Sequence, residues 1–143
     1  MNKKIYTIVW TVVLILTSSC KSTEFFGGEE NWILLGEIKA NHIFEKDVLR
    51  IKNRERFTAL QLYVTTKDVE IKNFTVTFIN GDILQPSIES VVRQGERSRI
   101  IELAADGRQL EKITLRYKSL GKILTRKGRV QIGGRLYDPS RPY

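Results

Sequence analysis

A period of two governs the chain from Trp32 to Tyr137. Leu60, Leu62 and Val64 alternate with Ala59, Gln61 and Tyr63. Ile113, Leu115 and Tyr117 alternate with Lys112, Thr114, Arg116 and Lys118, and Val130, Ile132 and Leu136 with Arg129, Gln131 and Arg135. Such alternation gives a strand one apolar and one polar face, whereas a helix needs a period of 3.6. Turn signals interrupt the pattern, among them Asn80-Gly81 and Asp106-Gly107, both suited to tight turns with positive φ. Candidate strands cover residues 31–38, 46–52, 57–65, 70–79, 83–90, 98–103, 110–118 and 128–137. No window sustains helical periodicity, and the best helix candidate, 88–93, is a turn or two at most.

Within the fourth run the parity changes. Val69 and Ile71 are odd, whereas Phe74, Val76 and Phe78 are even. One extra residue near Lys72–Asn73 restores a single apolar face, which is the effect of a β-bulge. About eight short strands without long helices predict an antiparallel β-sandwich, with an open β-barrel as the alternative. The predicted core joins Phe74, Val76 and Phe78 to Leu60, Leu62, Val64, Ile113 and Leu115. With one cysteine in 143 residues, burial has to hold this fold without a disulfide.

That cysteine, Cys20, closes a segment of another kind. Lys3 and Lys4 precede the apolar run IYTIVWTVVLIL (residues 5–16), and Thr17, Ser18 and Ser19 follow it. A spanning helix needs ~20 apolar residues, so this run is too short for a permanent anchor and reads as a cleavable export signal. Small residues directly before a cysteine resemble a bacterial lipobox. The usual Leu three positions earlier is Thr17 here, with Leu16 one step further back, as in the looser lipoboxes of Bacteroidota. The resemblance implies cleavage before Cys20 and acylation of its sulfur and its new amino group. Two or more chains anchor a protein stably, at ~0.8 kcal/mol per buried methylene. Residues 1–19 are then the lipoprotein signal, 20–31 a flexible tether, 32–137 the β-domain and 138–143 an irregular tail. Phe25 and Phe26 are unusual in a tether; they rest either on the domain or in the membrane surface. Lys21 stands where the resembled inner-membrane retention signal has Asp, which points to the outer membrane. The absence of an acidic run in KSTE favours its periplasmic leaflet over the surface.

Catalytic chemistry finds little support. The one histidine, His42, falls in a turn, and no Cys/His zinc set can be assembled. No nucleophile elbow, P-loop, dinucleotide fingerprint or calcium loop occurs, so neither cofactor nor metal is expected. Glu37, Glu70, Glu102 and Glu111 alternate with apolar residues and read as outward sheet residues rather than an acid–base pair. The patterns W-x-L-L-G (Trp32 to Gly36), Asn80-Gly81, S-R-x-I-x-L (Ser98 to Leu103) and R-x-L-x-x-I-x-L-x-Y (Arg108 to Tyr117) resemble a family of small secreted bacterial β-sandwich domains of unknown function. That resemblance implies the fold and no activity.

Charge is uneven. Residues 20–92 hold nine basic and eleven acidic side chains, residues 93–143 thirteen and five. Lys112, Arg116 and Lys118 share the polar parity of one strand, Arg129 and Arg135 that of the next, and a hairpin of these last two strands makes the five one solvent face. Beside it, Ile123 and Leu124 lie in the connecting loop. One reading is a contact patch for anionic lipid headgroups or an acidic polymer. The plainer reading is a solvated face that protects a sheet edge. Nucleic acid is a poor partner, because no aromatic–basic platform is legible. The expected role is thus a non-catalytic, membrane-tethered binding or accessory module, meeting the membrane through Cys20 and an anionic lipid or an envelope protein as partner. The alternatives are a structural envelope protein and, least supported, an enzyme.

Overall fold

A computed structural model describes residues 26, 30–40, 45–88, 90–121 and 128–141. Among these residues the nine strands are β1 (Trp32–Ala40), β2 (Glu45–Arg50), β3 (Arg56–Val64), β4 (Val69–Phe78), β5 (Ile83–Leu84), β6 (Ser90–Val92), β7 (Ile101–Glu102), β8 (Arg108–Ser119) and β9 (Gly128–Leu136). All pairings are antiparallel. β1, β9, β3 and β7 form one layer, sheet A. β2, β8, β4, β5 and β6 form the other, sheet B. The layers join at one corner, where Arg56 and Phe57 pair with Gln109 and Arg108. The sheet stays open, so the sandwich expectation holds and the barrel alternative does not. Among the described residues no helix is long and apolar enough to cross a membrane.

The alternation read from sequence builds the core. Leu60, Leu62, Val64, Val130 and Ile132 of sheet A meet Ile71, Phe74, Val76, Phe78, Ile113, Leu115 and Tyr117 of sheet B in one buried cluster. Every predicted core residue belongs to it. The predicted bulge is also present: Ile71 pairs with Tyr117 but Asn73 with Arg116, which leaves Lys72 as the extra residue. Gly81 and Gly107 take φ of 89° and 69°, as the Asn-Gly and Asp-Gly turns require.

Three expectations need correction. Residues 83–90 do not form one strand. Pro86 offers no N–H to a ladder, and the run divides into β5 and β6. The helix candidate at 88–93 overlaps β6, paired with Val69–Ile71. One turn is too short to nucleate a helix, whereas the edge of β4 supplies hydrogen bonds at once. Ala59 and Gln61, expected to face water, are buried. The segment 95–102 lies along β3 and covers them: Ser98 N donates to the Leu62 carbonyl (2.8 Å), and Gln61 Nε2 donates to the Ser98 carbonyl (2.9 Å).

Tyr117 anchors sheet B beneath β2. Its ring is buried, its hydroxyl donates to the Asp47 carboxylate, and the Lys39 carbonyl lies 3.2 Å away. Burial, then the Asp47 carboxylate, pushes the phenol far above its ordinary range. In the unfolded chain it ionises near pH ~10. The stability from keeping it neutral is therefore complete below pH ~10 and falls above it, at about 1.4 kcal/mol per pH unit. Tyr117→Phe should cost about 1–3 kcal/mol at pH ~8 by leaving Asp47 without its donor. The gap between wild type and variant should close above pH ~10. Urea melts of both proteins across that range are the check, and a constant gap refutes this account.

Candidate functional site

The five basic residues singled out from sequence do not form one face. β8 pairs with β2 and β4, while β9 pairs with β1 and β3, so the expected hairpin of the last two strands is absent. The cause is the core itself. Both strands carry a continuous apolar face, and both faces are buried by lying opposite each other across the sandwich. Three of the five are then neutralised within their own layers. Lys118 pairs with Glu70 at 3.0 Å, and Arg129 with Glu37 at 3.4 Å. Arg135 pairs with Glu102 at 2.9 Å, donates from Nε to Thr58 Oγ1 at 3.0 Å and lies 5.9 Å from the Trp32 ring. Lys72 first, then Lys118, holds the Glu70 carboxyl below its usual range.

The other two, Lys112 and Arg116, meet two cations that sequence reading passed over. On the outer face of sheet B, Lys46 of β2 lies opposite Arg116, and Arg50 opposite Lys112. These four edge an open groove of about 610 Å³ on the outside of the sandwich. Among the described residues no carboxylate lines it, and none of the four forms an ion pair. Like charges directly opposite one another across strands are destabilising, by roughly 0.2–1 kcal/mol a pair. Edge protection explains basic residues on β2, which among the described residues pairs only with β8. It does not explain Lys112 and Arg116, because β8 runs between β2 and β4 inside the sheet. The available signal was the alternation Lys46, Val48, Arg50 against Glu45, Asp47, Leu49.

Two further cavities are occupied by structural pairs. One, of about 610 Å³ at the corner between layers, holds Arg56 with Asp106 (3.1 Å) and Arg108 with Asp82; the Arg108 guanidinium stacks 3.6 Å from the Phe78 ring centroid. The other, of about 460 Å³, is the Arg135–Glu102 site. Among the described residues no group of three or more His, Cys, Asp or Glu is placed to hold a metal. Cys20, Phe25, His42, Ile123 and Leu124 lie outside the described residues.

The tether enters the fold at Phe26. Its side chain is 0% exposed and its ring centroid lies 5.8 Å from that of Trp32. It occupies a socket on the outer face of sheet A made by Gly133, where a Cβ would come within 2.2 Å of the Phe26 ring. Of the two placements open to it from sequence, this aromatic rests on the domain.

A family profile described as a domain of unknown function (DUF2541) matches residues 8–134, and the chain belongs to that family. No curated protein is matched. Among solved structures, a chain from the structural and functional characterization of Pseudomonas aeruginosa AlgX is similar at 12% identity and a TM-score of 0.44. The match covers 79% of this chain and 28% of that one, and a likeness so slight supports no argument.

Proposed function

We propose that this family member is a membrane-tethered envelope protein, held through an acylated Cys20, and that it acts as a non-catalytic binding module. Its binding surface is the cationic outer face of sheet B, and its partner is anionic. The observation that carries this reading is the convergence of Lys46, Arg50, Lys112 and Arg116 on one groove with no carboxylate among the described residues of its lining. A fold tolerates opposed like charges where a ligand neutralises them. The export segment, its small-residue exit and the solitary Cys20 support the anchor, and Lys21 with the lack of an acidic run in KSTE supports a place in the outer membrane, on the periplasmic leaflet.

The anchor is tested first. Mass spectrometry of the native N-terminus should find an acylated Cys20, and Cys20→Ala should leave the membrane fraction. An intact signal, or cleavage elsewhere with a free thiol, defeats the proposal. Binding is tested with polyglutamate, a plain polyanion. Wild type should bind it in low salt and release it in high salt. Lys112→Gln with Arg116→Gln should weaken binding by about 25-fold, at ~1 kcal/mol per charge removed. Equal binding by the double variant places the ligand elsewhere.

A further inference from the structure

The cationic groove and the buried Phe26 lie on opposite layers of the sandwich, and together they restrict what the groove can meet. We infer that the groove takes an acidic glycan, a hydroxylated polymer with repeating carboxylates, on the side of the protein turned away from its anchoring membrane. This rests on the reading that Cys20 is the anchor and the outer face of sheet B the binding surface.

The ligand class follows from the lining. The Lys46–Arg116 row and the Arg50–Lys112 row are separated by four residues along β2. At ~3.3 Å per residue they stand about 13 Å apart, beyond the span of one phosphate or carboxylate. Between and beside the rows lie Thr75, Thr77 and Thr114, with Asn73 and Gln85 nearby. These side chains both donate and accept, which a chain of hydroxyls requires and a row of bare anions does not. Val48 and Ile83, 48% and 63% exposed, add apolar spots within the groove for the C–H faces of sugar rings. An extended acidic glycan sets a carboxylate on each row and hydroxyls on the threonines.

The direction follows from the tether. Phe26 is six residues beyond Cys20, so the anchor lies within about 20 Å of the Gly133 socket. That socket is on the outside of sheet A. Packed sheets stand ~10 Å apart, and the groove cations project further still, from the far side of sheet B. A Debye length in physiological salt is ~8 Å, so headgroups of the anchoring bilayer are screened from the groove.

The test uses the lipidated protein purified from membranes and reconstituted into phosphatidylcholine vesicles, with polygalacturonate as the probe. Capture of the polymer should fall about 25-fold in the Lys112→Gln/Arg116→Gln variant. Replacing about a third of the vesicle lipid with phosphatidylglycerol should leave wild-type capture unchanged, at a constant Debye length. In Phe26→Ala the same lipid should compete, because the domain is then free to turn. No capture by wild type overturns the glycan while leaving the anchor standing. Capture that phosphatidylglycerol abolishes in wild type overturns the orientation and keeps the ligand. Binding of added phosphatidylglycerol vesicles in place of the polymer makes lipid phosphate the ligand. A Cys20 without acyl chains overturns the anchor and the orientation, and the polymer arm then reads on soluble protein.

Discussion

Phe57→Ala is expected to remove about 3–5 kcal/mol, the largest stability loss of any substitution considered for this protein. Phe57 is 0% exposed and stands at the corner where the layers join, with Arg108 and Leu136 as its register partners. Its ring fills the space over Gly134, where an added Cβ would come within 2.7 Å of it. Truncation therefore empties a volume bounded by both sheets, and neither can close it without losing register. Small domains have only about 5–15 kcal/mol in total, and a chain with one cysteine has no internal disulfide to limit the loss. Urea unfolding midpoints measure it, with Ile83→Ala as a control expected to stay within about 0.5 kcal/mol. A loss under about 1 kcal/mol at Phe57 shows that the corner is not a closed part of the core.

Gly133→Ala should expel Phe26 from its socket. The new methyl carbon would come within 2.2, 2.4 and 2.5 Å of three ring atoms, so ring or strand has to move. Overpacking of this kind costs about 1–3 kcal/mol. Trp32, whose ring centroid is 5.8 Å from that of Phe26, reports the departure by fluorescence. A double-mutant cycle assigns the cause. Once Phe26→Ala is in place, adding Gly133→Ala should be neutral or slightly favourable, because Ala exceeds Gly inside a strand by roughly 0.5–1 kcal/mol. An equal cost in both backgrounds means that the strand, rather than the socket, rejects the methyl group.

The core was legible because burial leaves a period in the chain. Phe74, Val76 and Phe78 could be aligned with Val69 and Ile71 only by inserting a residue, and Lys72 is that residue. Pairing was not legible. Alternation says that Lys112 and Arg116 share a face, but not which strand lies beside them, and adjacency in sequence suggested β9 where the sandwich places β2 and β4. Lys46 and Arg50 were obscured further by the acidic excess of the segment around them. The Phe26 socket did leave a trace. Two glycines inside the strand pattern of β9 mark a close approach, since an ordinary side chain packs better there. At Gly133 the approaching group is a ring from the tether.

The position of β9 bears on the order in which the chain completes itself. Among the described residues β1 finds its ladder only on β9, and β9 lies between β1 and β3 although it is the last described strand in the chain. Sheet A can pair β3 with β7 early but cannot join β1 to β3 until β9 is made, while the described strands of sheet B all lie before residue 120. Closing the span from β1 to β9 costs loop entropy that no earlier contact repays. A chain of this topology keeps sheet A open through most of its synthesis and closes it once β9 is inserted between β1 and β3.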